Sequence, residues 1–377
     1  MRSSKFLGVV AAPVVALMIG AGVGVAAASD HGAVSQHGSN DNGAAQQSWS
    51  DAHTKQANLS FPISADHGKD GKAFKDGLKG DDGGSASQDN SADTDSNANN
   101  SNQTKQSLNQ QQLKAVQNFF EKFRKDMGDW SLDGGSFGDV SQYGSNNNWT
   151  DQSAWSDAST KQANVNAGIG FGASGDVNQS NNAKTKSNAS NDNATQQKLN
   201  QQQAVISQDF GKDGKFSPNS SHGDVSQAGR NDNYTSQDAN SKATTDQANI
   251  YAPITLWSSG HGADVNQSNN ADTKSNASNS NWTDQYLNQD QADIGQGSSG
   301  RSGDVSQYGN NSNGTDQSAA SQAKTEQVNI YAPITVWGGS PGSVSQSNTA
   351  HTTSSANNSN GTVQGQNQSQ AAVSSSF

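Results

Sequence analysis

The strongest constraint in this 377-residue sequence is a motif that fixes glutamine, glycine and asparagine at constant offsets in four places. The motif reads SQYGSNNNWTDQ at 141–152. It returns as SQHGSNDNGAAQ at 35–46, SQAGRNDNYTSQ at 226–237 and SQYGNNSNGTDQ at 306–317. Such self-similarity predicts a repeat architecture, in which one structural unit stacks on the next.

Glutamines also recur at shorter, equal intervals. The longer of these intervals separates Gln227, Gln247 and Gln267, and likewise Gln307 and Gln327, while Gln237 and Gln317 lie halfway along their intervals. A strand of about six or seven residues and a turn fill half an interval. The spacing therefore predicts strand-turn-strand rungs of about 20 residues, with turns at 144–146 and 229–231. Gln227, Gln247 and Gln267 are expected to stack in one column.

A longer repeat is superimposed on this spacing. DVSQ and DVNQ segments alternate, and NIYAPITLW at 249–257 returns as NIYAPITVW at 329–337. Each of the last two superunits corresponds to four predicted rungs, and an earlier one carries an insertion at 66–82. The predicted organisation is a signal peptide at 1–28, superunits at 29–107, 131–222, 223–302 and 303–377, and a helical insertion at 108–130.

The insertion at 108–130 departs from the repeat. Its apolar residues fall at helical spacing across 113–127, namely Leu113, Val116, Phe119, Phe120, Phe123 and Met127. This pattern predicts one short amphipathic helix outside the repeats. Its apolar face could dock on the same protein, on a partner or on a membrane.

The fixed amides suggest how a chain with few apolar residues can fold. Alternation in a strand puts Asn148, Thr150 and Gln152 on one face, whereas the opposite face varies between copies. Stacked strands repeat at about 4.7–4.8 Å, and identical carboxamides above one another form hydrogen-bonded ladders. Because a carboxamide both donates and accepts, it can be buried without an unmet partner. The specified face is therefore predicted to point inward.

The predicted fold class is an all-β solenoid with Gln/Asn ladders. The predicted ladder residues are Gln36, Gly38, Asn42, Gln46, Gln142, Gly144, Asn148, Gln152, Gln162, Gln179, Gln227, Gly229, Asn233, Gln237, Gln247, Gln267, Gln307, Gly309, Asn313, Gln317, Gln327 and Gln346.

The composition keeps a second interpretation open. Hydrophobic residues make up only 29% of the chain, which is typical of disordered segments such as a solvated wall spacer. Disorder, however, gives no reason for glutamine at fixed intervals. The formal charge of −11, without basic clusters, argues against a nucleic-acid partner.

The N-terminus resembles an export signal. Arg2 and Lys5 precede an apolar run at 6–28 that ends in three alanines, which predicts a cleaved signal peptide. A retained membrane anchor is the alternative, since the run is long enough to span a bilayer. Loss of Arg2 and Lys5 would change the formal charge from −11 to −13. The absence of cysteine fits export, so we expect a secreted or cell-surface protein with no membrane span after cleavage.

No segment predicts catalysis. The seven histidines lack metal-ligand spacing, and GGSFGD at 134–139 and DHGKDG at 66–71 do not match calcium-binding patterns. We therefore expect no catalytic, metal or cofactor site and no enzyme activity.

The four copies, written S-Q-x-G-x3-N-x-T-x-Q with Ala44 replacing threonine in the copy at 35–46, resemble the repeat of curlins, the major subunits of curli-type extracellular amyloid fibres. The resemblance implies a subunit that polymerises with itself in adhesion or a biofilm matrix, with a nucleator or cell-surface component as a further partner. The Asn-to-Gln spacing and the insertions depart from that family's pattern. The alternative is a monomeric solenoid, either a surface adhesin or a carbohydrate- or ice-binding module, with exposed Trp149, Trp257, Trp282 and Trp337 as its contact rows.

Overall fold

A computed structural model describes residues 16–28, 33–64, 85–117, 139–171, 175–208, 223–257, 262–296, 304–339 and 342–375. All the regular secondary structure assigned within these ranges is β-strand. From residue 34 onward, a long strand, a very short strand and a still longer strand follow one another four times. Each such series forms one coil of the chain.

The first strands of the four coils each contain 27 residues and are β2 (Val34–Ser60), β5 (Val140–Asn166), β8 (Val225–Tyr251) and β11 (Val305–Tyr331). The short strands are β3 (Ile63–Ser64), β6 (Ile169–Phe171), β9 (Ile254–Trp257) and β12 (Ile334–Thr335). The last strands each contain 32 residues and are β4 (Ala86–Gln117), β7 (Val177–Gln208), β10 (Val265–Gln296) and β13 (Val344–Ser375). Strand β1 spans Ala16–Ala28. The two kinds of long strand extend about 90 and 105 Å, far beyond the usual length of strands in globular proteins.

Strands of each kind pair in parallel with their own kind. They form three sheets, which we name by the length of their strands or by their place: the 27-residue sheet (β2-β5-β8-β11), the 32-residue sheet (β1-β4-β7-β10-β13, in which β1 is shorter) and the corner sheet (β3-β6-β9-β12). Equivalent residues are neighbours, so that Gln142 lies beside Gln36 on one side and Gln227 on the other. The prediction of an all-β, solenoid-like stack is confirmed.

The two long sheets face each other across a polar interior. Asn42 Nδ2 donates to Thr104 Oγ1 at 3.0 Å, and Asn58 Nδ2 donates to the Asp89 carbonyl at 3.1 Å. The start of β2 therefore faces the end of β4, as expected for a chain that reverses at the corner sheet. Even-numbered residues of β5 are buried along its whole length.

The prediction that one strand-turn-strand rung of about 20 residues makes one coil of the stack is wrong. The register joins Gln227 to Gln142 and to Gln307, which are 85 and 80 residues away, so one coil uses a whole superunit. Gln227 and Gln247 lie in the same strand and Gln267 lies in β10, so these three do not share a column. Spacings of ten and twenty are even numbers, and an even spacing keeps residues on one face of a strand of any length.

The predicted turns are also wrong, because 144–146 and 229–231 lie inside β5 and β8. Among the described glycines, only Gly338 and Gly339 have a positive φ, so the glycines within the long strands are not turn residues.

The helix predicted over 113–127 is wrong over 113–117, and the predicted insertion is wrong over 108–117, because these residues belong to β4, where Leu108 pairs in register with Leu199 of β7. Parallel pairing with an equivalent strand overrides the local helical spacing there. Residues 118–130, and the insertion at 66–82, lie outside the described residues.

The N-terminal apolar run contributes β1, which pairs in parallel with 102–114 of β4. This strand occupies the outer edge of the 32-residue sheet, and the signal peptide stays a prediction. Over the described ranges, no helix has the length and apolar character needed to cross a membrane.

Cysteine pairs distinguish the two coil lengths, since the sequence has no native cysteine. Ser226 and Ser306 are neighbours across β8 and β11, where Cα atoms lie about 5 Å apart and a disulfide can form. S226C/S306C should therefore oxidise within one chain, as read by gel mobility. S226C/D246C should not, because both positions lie in β8, about 65 Å apart along the strand. Efficient cross-linking of the second pair would support the shorter coil instead.

Candidate functional site: interior ladders and open sheet edges

The interior is built mainly from amides. The largest fully buried side chains are Leu199, Leu287, Gln110, Gln142, Gln152, Gln179, Gln197, Gln201, Gln227, Gln237 and Gln267. A buried polar group is costly unless it is hydrogen-bonded, so the partners of these amides decide whether the stack is stable.

The glutamines form ladders that run across the strands with one direction. Gln142 Nε2 donates to Gln36 Oε1 at 2.9 Å, Gln227 Nε2 to Gln142 Oε1 at 2.7 Å, and Gln307 Nε2 to Gln227 Oε1 at 2.9 Å. Every donor in this column points towards the preceding coil. The same direction holds in the columns Gln46–Gln152–Gln237–Gln317, Gln56–Gln162–Gln247–Gln327, Gln88–Gln179–Gln267–Gln346, Gln106–Gln197–Gln285–Gln364 and Gln110–Gln201–Gln289–Gln368.

The second amide hydrogen crosses to the facing sheet. Gln152 Nε2 also donates to the Asp192 carbonyl at 3.0 Å, and Gln237 Nε2 to the Ser280 carbonyl at 2.9 Å. Both donors and the acceptor of such a carboxamide are therefore used. The ladder holds a sheet together, and the crossing bond holds the two sheets to each other.

The asparagines form ladders of opposite direction. Asn40 Nδ2 donates to Asn146 Oδ1 at 3.1 Å, Asn146 to Asn231 at 2.9 Å, and Asn231 to Asn311 at 2.9 Å, so each donor points towards the following coil. The same direction holds for Asn42–Asn148–Asn233–Asn313, Asn58–Asn164–Asn249–Asn329, Asn90–Asn181–Asn269–Asn348, Asn100–Asn191–Asn279–Asn358 and Asn102–Asn193–Asn281–Asn360. The two opposed directions make the first and last coils chemically different.

Hydroxyl groups form two further chains that alternate between the sheets. Ser187 Oγ donates to Ser156 Oγ at 2.8 Å, and Ser241 Oγ to Ser187 Oγ at 2.9 Å. The serine chain comprises Ser96, Ser156, Ser187, Ser241, Ser275, Ser321 and Ser354, and the threonine chain comprises Thr54, Thr94, Thr160, Thr185, Thr245, Thr273, Thr325 and Thr352. Because these side chains are short, the two sheets approach closely where they occur.

Apolar contacts are confined to a few columns. Leu108, Leu199 and Leu287 form one buried cluster on the 32-residue sheet. They pack against the glycine column of the facing sheet, where a Cβ on Gly229 would lie 2.7 Å from Leu287 Cδ1. Glycine is therefore required at this column by the close approach of leucine.

The structure places all the residues predicted for the ladders on inward-facing columns of the described strands. Sequence reasoning missed the leucine column, because the fixed motif of glutamine, glycine and asparagine contains no leucine. The recurring Leu-Asn-Gln at 108–110, 199–201 and 287–289 is the signal that could have found it.

The stack formed by the described residues has open sheet edges. In the described part of the chain, β11 and β13 each have a neighbouring strand on one side only, and the same holds for β2. The Val225 N–H donates to the Asp304 carbonyl of the following coil at 2.8 Å. By the same alternation, the inward residues of β11 direct their N–H and C=O groups to the open edge, where a further strand can pair.

The four tryptophans predicted to form contact rows do not share one surface. Trp149 lies on the outer face of β5 and Trp282 on the outer face of β10, which belong to different sheets. Trp257 and Trp337 lie at the corner. Trp49 instead stacks on Trp155, with ring centroids 5.6 Å apart.

The charged side chains that form ion pairs lie on the outer faces, whereas Asp293 is buried on the inward face of β10. Lys161 Nζ is 3.3 Å from Asp246 Oδ2, and Lys324 Nζ is 2.5 Å from Glu326 Oε1. The hydrogen bond that Lys324 donates lowers the pKa of Glu326, and the positive charge of Lys324 lowers it further. A hydrogen bond from the Ser343 hydroxyl lowers the pKa of Asp264. Among the described residues, no three His, Asp or Glu side chains are grouped so that they could hold a metal ion.

No family model, curated protein or solved structure matches this chain. The ladders and the open edges therefore carry the functional interpretation.

The glycine column can be tested with a matched pair of substitutions. Gly229→Ala should destabilise the fold by about 1–3 kcal/mol, because its Cβ would overlap Leu287 and Gln201. Gly43→Ala, whose Cβ would have no neighbour within 4 Å, should leave stability unchanged or slightly raised. Denaturant unfolding followed by circular dichroism measures both. Equal stabilities would show that leucine does not pack against this column.

Proposed function

We propose that this protein is a secreted structural subunit that assembles with itself into a curli-like extracellular fibre, in adhesion or a biofilm matrix. The observation that carries the proposal is that long, in-register ladders stop at the open edges of β11 and β13. The backbone groups and the side-chain amides of the inward residues point along the stack toward these edges, in the same pattern that they use between coils. A second copy can therefore continue the stack.

The mechanism is templated addition. The open edge of a stack presents a preformed strand, and an incoming chain pairs with this strand as one coil pairs with the next. The incoming chain gains backbone bonds and amide ladders together, because both have the same repeat across the strands. Acidic side chains on the outer faces favour solubility before assembly.

The N-terminal segment belongs to this mechanism. Strand β1 covers 102–114 of β4 at the outer edge of the 32-residue sheet. Cleavage of the predicted signal peptide would uncover that edge, so assembly would follow export. A nucleator or cell-surface component would present a comparable edge.

The alternative of a monomeric adhesin or a carbohydrate- or ice-binding module is less well supported. It depended on contact rows of tryptophans, and Trp149 and Trp282 lie on the outer faces of different sheets. The open edges favour the fibre instead.

A proline at the open edge tests the proposal. The chain beginning at Ser29 should form fibres on quiescent incubation, with a repeat of about 4.7–4.8 Å along the fibre axis. Ala323 is an inward residue of β11, so Ala323→Pro would remove an N–H that faces the open edge. This variant should fold but no longer elongate at that end, as measured by seeded growth.

The control is Ala323→Ser, which keeps the N–H and should elongate normally. A folded chain from Ser29 that stays monomeric at every concentration would contradict the proposal. Normal growth of the folded proline variant would show that this edge is not where copies join.

A further inference from the structure

Resting on the proposed self-assembly, we propose that copies join head to tail and in register, β11 to β2 and β13 to β4, through two orphaned amide groups and the charge pair Glu326–Lys55. The joint is thereby selective for a second copy of this chain in one orientation. Its register follows from extending the pairing of equivalent residues between coils by one more step.

Two buried amide atoms in the first coil lack a partner. They are Gln36 Nε2 and Asn102 Oδ1, on side chains that are only 9% and 2% exposed while β1 is in place and Ala16 is the neighbour of Asn102. Glutamine ladders donate towards the preceding coil, so Gln36 requires an acceptor from a preceding strand. Asparagine ladders donate towards the following coil, so Asn102 requires a donor from the same side.

The last coil offers the complementary atoms. In the head-to-tail register, Gln307 Oε1 of the preceding copy meets Gln36 Nε2, and Asn360 Nδ2 meets Asn102 Oδ1. Both ladder directions then continue unbroken across the joint. Two first coils placed against each other would instead bring glutamine donors to donors and asparagine acceptors to acceptors.

Charges on the outer face of the 27-residue sheet fit the same register. One column contains Lys55, Lys161, Asp246 and Glu326 in consecutive coils. Lys161 pairs with Asp246 inside the stack, whereas Lys55 has Lys161 as its neighbour in the following coil. The joint brings Glu326 of one copy beside Lys55 of the next, so the column continues with opposite charges in contact.

The 32-residue sheet shows the same complementarity. Its column Asp93, Lys184, Asp272 and His351 places His351 of one copy beside Asp93 of the next. Across both sheets, this register sets no described carboxylate directly opposite another. The carboxylates of the first coil, Asp41, Asp51, Asp89, Asp93 and Asp95, meet Ser312, Gln322, Ser347, His351 and Thr353 in turn. An acidic chain can therefore stack on itself without direct repulsion at the joint.

The N-terminal strand fixes which end is blocked. β1 pairs with 102–114, the positions that 360–372 of another copy would take in this register. The joint therefore requires the chain without residues 1–28, and the full-length chain is the blocked reference.

Charge reversal across the joint is the test. At low salt, chains from Ser29 that carry Lys55→Glu or Glu326→Lys should elongate their own seeds about threefold or more slowly, because like charges would meet. The double variant K55E/E326K should regain wild-type growth on its own seeds. It should not be templated by wild-type seeds, whose exposed charges would then repel it at either end.

Matched controls change the same charge at the same edges. Lys105→Glu and Asp316→Lys would meet Val363 and Ala45 of the neighbouring copy, so both should grow nearly as the wild type. Circular dichroism of each monomer confirms that it is folded.

The outcomes are separable. Fibres that grow equally well in all variants, or a double variant that fails to recover, would overturn this joint and leave the proposed fibre standing. A wild-type chain that forms no fibres would overturn both.

Discussion

The bonding of the buried carboxamide is the interaction on which this structure depends. Each ladder glutamine such as Gln237 donates to its equivalent in the preceding coil, accepts from the following one, and donates across to a facing carbonyl. A neutral amide bonded in this way can replace an aliphatic side chain as a core residue, because no polar atom is left unpaired. The interior is thus a set of one-dimensional hydrogen-bonded columns, and its stability grows with the number of coils.

Column bonding places strict demands on the sequence. An amide must face an amide of the same length, so glutamine columns and asparagine columns stay separate through all four coils. Columns of small serine, alanine and glycine residues let the sheets approach each other. Leucine side chains occupy the space opposite the glycine column. In the last described coil the glutamine and asparagine columns keep this pattern, whereas Gln366 stands in the leucine column. Each coil presents its columns to the coil that follows it, and β11 and β13 present theirs at the open edges.

The sequence predicted the all-β stack and the amide ladders, because alternation and fixed offsets encode both directly. It did not predict the coil length. Gln227 and Gln247 are an even number of residues apart, which fits two positions in one strand as well as two strands in one column. Gly144 resembled a turn residue because the facing Leu199 is far away in sequence. Residues 113–117 looked helical because their pairing with β7, in the following coil, cannot be read from local spacing.

Side-chain amide hydrogen exchange, followed by NMR with residue-specific assignment, tests the ladder account most directly. Gln196 and Gln197 are neighbours in β7, but the first is exposed and the second is fully buried and bonded to Gln106, Gln285 and two facing carbonyls. The account predicts that the Gln197 amide hydrogens exchange orders of magnitude more slowly than those of Gln196, since they open only when the stack opens. Equally rapid exchange at both residues would contradict a hydrogen-bonded amide interior.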